Sequence, residues 1–159
     1  MFEFAALDLP PIQAKISKKG NKYFIFDVLR RKNVVLTPEE WVRQHWIHYL
    51  ADIKRYPKSL MQIEGGMQLN KLLKRSDLVV YNNHGNKILL AEFKAPHVKI
   101  TQKVFEQISN YNSIQKAPVL LVSNGLKHIY SKIDFEKKSY NFLSELPNYE
   151  LMTEIGNNS

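Results

Sequence analysis

The sequence predicts an α/β domain, with a sheet of buried strands packed against helices, on three observations. Two apolar runs, Leu78-Val79-Val80-Tyr81 and Ile88-Leu89-Leu90-Ala91-Glu92-Phe93-Lys94, flank the turn-rich link Asn82-Asn83-His84-Gly85-Asn86-Lys87 and read as a hairpin of central strands. Thr37-Pro38-Glu39-Glu40 opens a helix of amphipathic period. A further apolar run, Pro118-Val119-Leu120-Leu121-Val122-Ser123, follows a second helical pattern. At 159 residues the chain reads as one domain, 1–159, long enough for a core without staples.

Residues 1–22 read as an irregular N-terminal arm, with Pro10-Pro11 and a turn at Lys18-Lys19-Gly20. Tyr23 to Leu29 is a short strand or an apolar clasp. The basic run Arg30-Arg31-Lys32 that follows is either a solvated turn or a phosphate contact. In the first helix Thr37 is the N-cap, Pro38 takes the first helical position, and Glu40 is placed to close a capping box. The helix should run to about Tyr56, before Pro57, with Val42, Trp46, Tyr49, Leu50 and Ile53 on its apolar face. On a helical wheel Glu39 lies with Val42, Trp46 and Leu50 while Glu40 points away. Glu40 is therefore expected to cap its own helix and Glu39 to face the sheet.

Leu60 to Glu64 reads as the first strand of the sheet, and Gly65-Gly66 leads through the cations Lys71, Lys74 and Arg75 to Asp77. If Tyr81 pairs with Ile88, the antiparallel register places Asp77 opposite Glu92. Directly opposed residues have Cβ atoms about 4.5–5.5 Å apart. Two carboxylates that close repel unless a cation lies between them, and hard divalent ions such as Mg²⁺ prefer oxygen ligands. Glu92 and Lys94, two residues apart on a strand, share a face, so the lysine would stand beside the metal. The plain alternative is a Glu92–Lys94 cross-strand salt bridge on a solvated face, with Asp77 a turn residue. The apolar surroundings of Glu92 argue against it, because buried charges require a partner or a metal.

Pro96 ends that strand. Ile100-Thr101 begins a second helix with Val104, Ile108 and Tyr111 on one face, and Gln107 and Tyr111, four apart, point the same way. Asn124-Gly125 closes the strand over 118–123, and Lys127 to Ile133 alternates like an edge strand. From Asn148 the tail, 148–159, is expected to fray. His45 and His48 sit three apart on the first helix but lack a convincing third ligand for zinc.

Composition narrows the function classes. There is no cysteine, which excludes thiolate zinc sites, disulfides and a cysteine nucleophile. The first residues are acidic where a signal peptide would be basic, and no run approaches membrane-spanning length, so a cytoplasmic protein without a membrane partner is expected. Lys and Arg outnumber Asp and Glu by 23 to 15, a net charge of +8 and a pI near 9.6. Such a balance favours a polyanion partner, and beside a carboxylate metal site it points to phosphodiesters.

The order of acid-bearing helix, strand, Asp-bearing strand, Glu-x-Lys strand, helix and strand resembles the PD-(D/E)xK nuclease superfamily. More closely it resembles the amino-terminal nuclease domain of type I restriction enzyme R subunits. The likeness rests on Thr37-Pro38-Glu39-Glu40-Trp41-Val42-Arg43-Gln44, Arg75-Ser76-Asp77, Glu92-Phe93-Lys94-Ala95-Pro96, Gln107-x-x-x-Tyr111 and Ser123-Asn124-Gly125, over about residues 23–145. It implies a restriction-endonuclease-like core, a central mixed sheet flanked by helices. It also implies a Mg²⁺-dependent DNA endonuclease, with Mn²⁺ able to substitute. Asp77, Glu92 and the backbone carbonyl of Phe93 would ligate the metal. Lys94 would activate water, Glu39 would be the helix acid with Glu40 as runner-up, and Gln107 and Tyr111 would support activity through DNA positioning.

Lys71, Lys74, Arg75 and Lys99 are the cations expected to hold the DNA backbone. Position 76 is Ser where the superfamily motif has Pro, which leaves the carboxylate in place. R subunits carry a translocating motor after this domain, and this sequence has no Gly-rich Lys-Ser/Thr phosphate loop. A motor or specificity protein acting in trans is therefore an expected partner. A homodimer is one way for a single site per chain to cut both strands. A different class stays open: a nucleic-acid-binding or interaction module that keeps the nuclease fold with little activity. A purely structural α/β protein is the third reading.

Overall fold

Among the described residues, alternating apolar runs and amphipathic segments build two sheets and three α-helices. The computed structural model describes residues 4–64 and 77–157. An N-terminal antiparallel sheet comprises β1 (Ile16–Lys19), β2 (Lys22–Asp27) and β3 (Lys32–Val35), in that order. Helix α1 (Pro38–His48) follows. The second sheet has the order β4 (Met61–Gln62), β5 (Leu78–Tyr81), β6 (Lys87–Phe93), β7 (Val119–Ser123), β8 (His128–Asp134), β9 (Ser139–Leu143). Only β6 and β7 run parallel, joined by the crossover helix α2 (Gln102–Gln115); the other pairs are antiparallel. The fold is thus α/β with a mixed central sheet flanked by helices.

Strands β5, β6 and β7 are buried on both faces, as their unbroken apolar runs require. One face (Leu78, Val80, Leu89, Ala91, Phe93, Val119, Leu121) meets Val42, Trp46 and Leu50 of α1 and Met152 of helix α3 (Tyr149–Asn157). The other (Leu90, Leu120, Val122) meets Phe105 and Ile108 of α2. No described helix is long and apolar enough to cross a membrane.

Several expectations are corrected. The hairpin pairs Leu78 with Ala91, Val79 with Leu90 and Val80 with Leu89, but Tyr81 pairs with Lys87 and not Ile88. The reason is the turn. The Asn82 side chain accepts the amides of His84 and Asn86, and the Asn82 amide donates to the Asn86 carbonyl, closing a five-residue loop. Ile88 becomes a bulge that faces the α1 side with Leu89. The bulge lies upstream, and the pairing runs in the expected register as far as Leu78 with Ala91, one residue short of Asp77 and Glu92.

Residues 16–19 are a strand of the N-terminal sheet and not part of an irregular arm. Helix α1 ends in a π-helical turn over Tyr49–Ile53, whose wider spacing swings Ile53 out to 49% exposure. On α2 the buried side chains include Phe105 and Asn112 beside Ile108. Strand β8 is interior, covered by β9, which is the edge.

The tail expected to fray forms α3. Asn148 caps it by accepting the Leu151 amide, the Tyr149 amide donates to the Lys54 carbonyl, and Met152 is fully buried against the sheet. Met152→Ala should therefore destabilise the protein by about 2–5 kcal/mol in urea unfolding. A change within about 0.5 kcal/mol would fit a surface position and return the segment to a frayed tail.

Candidate active site

The site grows from the end of the β5–β6 hairpin. Asp77 sits one residue before β5, and its Oδ2 accepts the backbone amide of Phe93 at 2.7 Å. That bond clips the two strand ends together. In a pleated strand the amide and carbonyl of one residue leave on the same side, so the Phe93 carbonyl also faces Asp77. Glu92 is 3% exposed, on the α2 side with Leu90. Lys94 is partly buried, anchored by its own amide on the Ser123 carbonyl at 2.9 Å.

Helix α1 supplies the rest. Glu39 in its first turn has a side chain 46% exposed. Burial first, and then the neighbouring Asp77 carboxylate, push its carboxyl above the ordinary value, while Arg43 and Lys94 pull it down. Glu39 therefore feels the charges of Asp77, Arg43 and Lys94.

Glu40 departs from its expected role. Thr37 is the N-cap, accepting the Glu40 amide at 3.0 Å, but the Glu40 carboxylate does not reach back to close a capping box. It is buried instead in an ionic chain. Arg30 Nε donates to Asp27 at 2.6 Å and its Nη2 to Glu40 at 2.7 Å; Arg43 Nη1 donates to Glu40 at 3.0 Å and Nη2 to Asp77 at 3.3 Å. Gln44 adds a bond to the second Glu40 oxygen at 3.1 Å. Asp27 was not singled out from sequence; Arg30 entered only in a basic run read as a solvated turn or a phosphate contact, and Arg43 only as one residue of the family likeness, neither as a member of an ionic chain.

Burial works to raise the Asp27 carboxyl, but the hydrogen bonds from the Arg30 side chain and from the Arg30 and Leu29 amides outweigh it. The carboxyl lies below its ordinary value.

Among the described residues no group of three or more His, Cys, Asp or Glu is gathered to hold a metal ion. The Arg43 guanidinium stands among the Glu39, Glu40 and Asp77 carboxylates. The donors still suit a hard cation. Each Asp77 oxygen has spent one lone pair, on Arg43 or on Phe93, and a carboxylate offers about four. The Asp77 carboxylate and the Phe93 carbonyl beside it are oxygen donors of the kind a hard divalent cation takes, whereas the Glu92 side chain lies on the α2 side with Leu90.

The remaining sequence candidates fall around this centre. Gln107 is exposed on α2. One turn on, the Tyr111 hydroxyl accepts from Gln115, whose carbonyl oxygen receives the Lys87 ammonium at the far end of β6 from Glu92. Asn124 donates to the Val98 carbonyl at 2.8 Å and accepts from Leu126 and Lys127, tying the loop after Lys94 to the β7–β8 turn. Gly125, at φ +86°, lies where a Cβ would meet Leu7 at 2.7 Å.

Ser123, His128 and Asp8 form a run that mimics a hydrolytic triad. Ser123 is fully buried, however, and His128 bonds the Asp8 backbone carbonyl at 2.8 Å, so the run is a strut. His45 is buried on the Trp41 carbonyl, and His48 pairs with Asp52. Lys99 is exposed in the loop after β6. Lys71, Lys74 and Arg75 lie outside the described residues.

A family model described as the type I restriction enzyme R protein N terminus matches residues 38–147. No curated protein and no solved structure matches the chain.

Two outcomes test the ionic chain. Arg43→Met leaves the nearly buried Glu40 short of a cation, so unfolding free energy should fall by about 3–5 kcal/mol; a loss under about 1 kcal/mol would mean the pair is solvated in effect. The depressed Asp27 carboxyl contributes stability that is fully present above its ordinary value of 3.8 and is lost as pH falls through the lower folded value. Asp27→Asn should remove that part of the acid limb in pH-dependent melting, and an unchanged limb would refute the assignment.

Proposed function

We infer that this chain, which belongs to the type I restriction enzyme R protein N-terminal family, is a metal-dependent DNA endonuclease domain of the PD-(D/E)xK kind. One observation carries the reading. Asp77 is clipped to the strand that bears Glu92 and Lys94, beside a helix acid, Glu39, that senses both Asp77 and Lys94. A phosphodiester resists attack because it is anionic, and a site for it must bring cations to the phosphate and a base to water.

Asp77, Glu92 and the Phe93 carbonyl would hold Mg²⁺, or Mn²⁺ in its place, with Glu39 at a second position. When bound, the ion lowers the pKa of its water and offsets phosphate charge. Lys94 orients the attacking water and stabilises the charge that develops on the phosphoryl oxygens. The partly buried setting of Lys94 strengthens that contact by limiting the screening of its charge. Gln107 and Tyr111 position DNA along α2. Lys99 contacts the backbone beside the site, and Lys71, Lys74 and Arg75 are proposed in the same role. DNA is the substrate, and motor or specificity subunits in trans are the partners that family membership supports. A homodimer would let one site serve each strand.

A second reading, a DNA-binding or interaction module with little activity, draws support from Arg43, whose guanidinium lies on Asp77 at 3.3 Å and competes with a metal. The two readings part on one assay. Purified protein with plasmid DNA and Mg²⁺ should nick or linearise the plasmid, and Lys94→Ala should lower the rate by at least about 100-fold, the scale of losing one charge-stabilising group. Calorimetric Mn²⁺ binding that disappears in Asp77→Asn would accompany it. Intact plasmid with both proteins, and no Mn²⁺ binding, would favour the module.

A further inference from the structure

We propose that the outer face of the N-terminal sheet, β1 to β3, is a docking platform for the phosphate backbone of duplex DNA. The proposal rests on the DNA-endonuclease reading above but concerns residues before the segment matched by the family model, which begins at 38.

The first observation is charge. Between residues 9 and 36 stand seven cations, Lys15, Lys18, Lys19, Lys22, Arg30, Arg31 and Lys32, against Asp27 as the single acid, while the rest of the chain holds sixteen cations and fourteen acids. The chain's positive excess is therefore concentrated here. Arg30 and Asp27 neutralise each other within the ionic chain, and the other six cations are exposed.

The second observation is register. Opposed residues share a face, so Ile16, Ile25, Val34 and Asp27 form the inner face together with Lys18, Tyr23 and Lys32, with Ile25 and Asp27 buried. Lys19, Lys22, Ser17, Phe24, Phe26 and Asn33 form the outer face, and the Lys15 carbonyl, bonded to the Phe26 amide, adds Lys15 to it. Lys19 and Lys22 are direct partners. Like charges placed directly opposite destabilise a strand pair, and a polyanion laid across them turns that cost into attraction. Lysine on β1 or β3 alone would be explained as a guard against edge pairing. Lys22, on the central strand, is not.

The third observation selects the partner. On the outer face Lys15 Nζ stands 5.7 Å from the Phe26 centroid, so of the two outer rings, Phe24 and Phe26, one lies beneath a cation rather than open to stack on an unpaired base, which is how single strands are held; Lys18 and Tyr23, 5.4 Å apart, lie on the inner face. What the face presents is an array of ammonium groups, suited to phosphates at any sequence. The run Arg30-Arg31-Lys32 is not part of this face, since Arg30 is bound to Asp27 and Lys32 stands opposite Asp27 on the inner face.

The test is fluorescence anisotropy of a labelled duplex across a salt series, in Ca²⁺ and the Lys94→Ala background so that DNA stays intact. Replacing Lys15, Lys19 and Lys22 together by Gln should weaken binding about tenfold or more near 0.1 M salt. It should also reduce the log–log salt slope by roughly 0.9 for each lysine that meets a phosphate. An unchanged melting curve would show that the fold is intact; if the triple variant melts early, Lys19→Gln with Lys22→Gln replaces it and should lose up to two units of slope on the same count. If the parent binds and the variants keep its affinity and slope, the platform is overturned and the endonuclease reading stands. If the parent binds no duplex even at low salt, both fail together. Tighter binding of a single strand than of duplex would also overturn the platform.

Discussion

The arrangement of the candidate site depends on one buried ionic chain, Asp27 to Arg30 to Glu40 to Arg43 to Asp77. Its members are drawn from the N-terminal sheet, from α1 and from the residue before β5, so three separately folded pieces meet through charge. Partly desolvated ions return little net stability even when well paired, yet removing one member strands another. The chain therefore works as a constraint more than as a source of stability. Arg43 reaches Asp77 at a fixed place because Glu40 holds it, and Glu40 is held in turn by Arg30 and Gln44. A guanidinium fork suits this task because two of its nitrogens point to two carboxylates at once.

The second constraint is the hairpin. Strands buried on both faces leave no freedom of register, since a slip of one residue would carry a whole row of apolar side chains to the wrong cluster. The bulge at Ile88 absorbs the mismatch between the Asn82-centred turn and the paired strands, and it does so at the far end from Asp77. The functional end of the hairpin is thereby insulated from the geometry of its own loop.

What was legible in the sequence follows from this. Patterns set by burial could be read: the two-sided strands, the Thr37 and Pro38 start of α1, and the pairing of Val79 with Leu90. Features decided by tertiary partners could not. Glu40 looked like a helix cap because a wheel knows only its own helix, and Arg30, ten residues upstream, turned the carboxylate inward. Residues after Asn148 looked like a tail because their pattern is short and polar, and only the groove that accepts Met152 orders them. Ile53 failed because a π-helical turn breaks the period on which the wheel rests. The alternation in Lys127 to Ile133 was read as an edge, although β9 covers it, since single-sided burial looks alike at an edge and beneath a polar strand.

The family match and the fold do not share a boundary. The matched segment starts at Pro38, at the first turn of α1, and contains Glu39, Asp77, Glu92 and Lys94. Arg30 and Asp27 lie before it, and without them Glu40 would keep Arg43 as its only ionic partner. Leu7 and Asp8 also lie before it, yet they pack on Gly125 and bond its carbonyl at the turn that Asn124 ties to the loop after Lys94. The carboxylates and the lysine are thus a property of the matched segment, whereas their rigidity belongs to the larger unit. Divergence in the first 36 residues would then change how firmly Arg43 is held against Asp77, while every residue of the matched segment stayed in place.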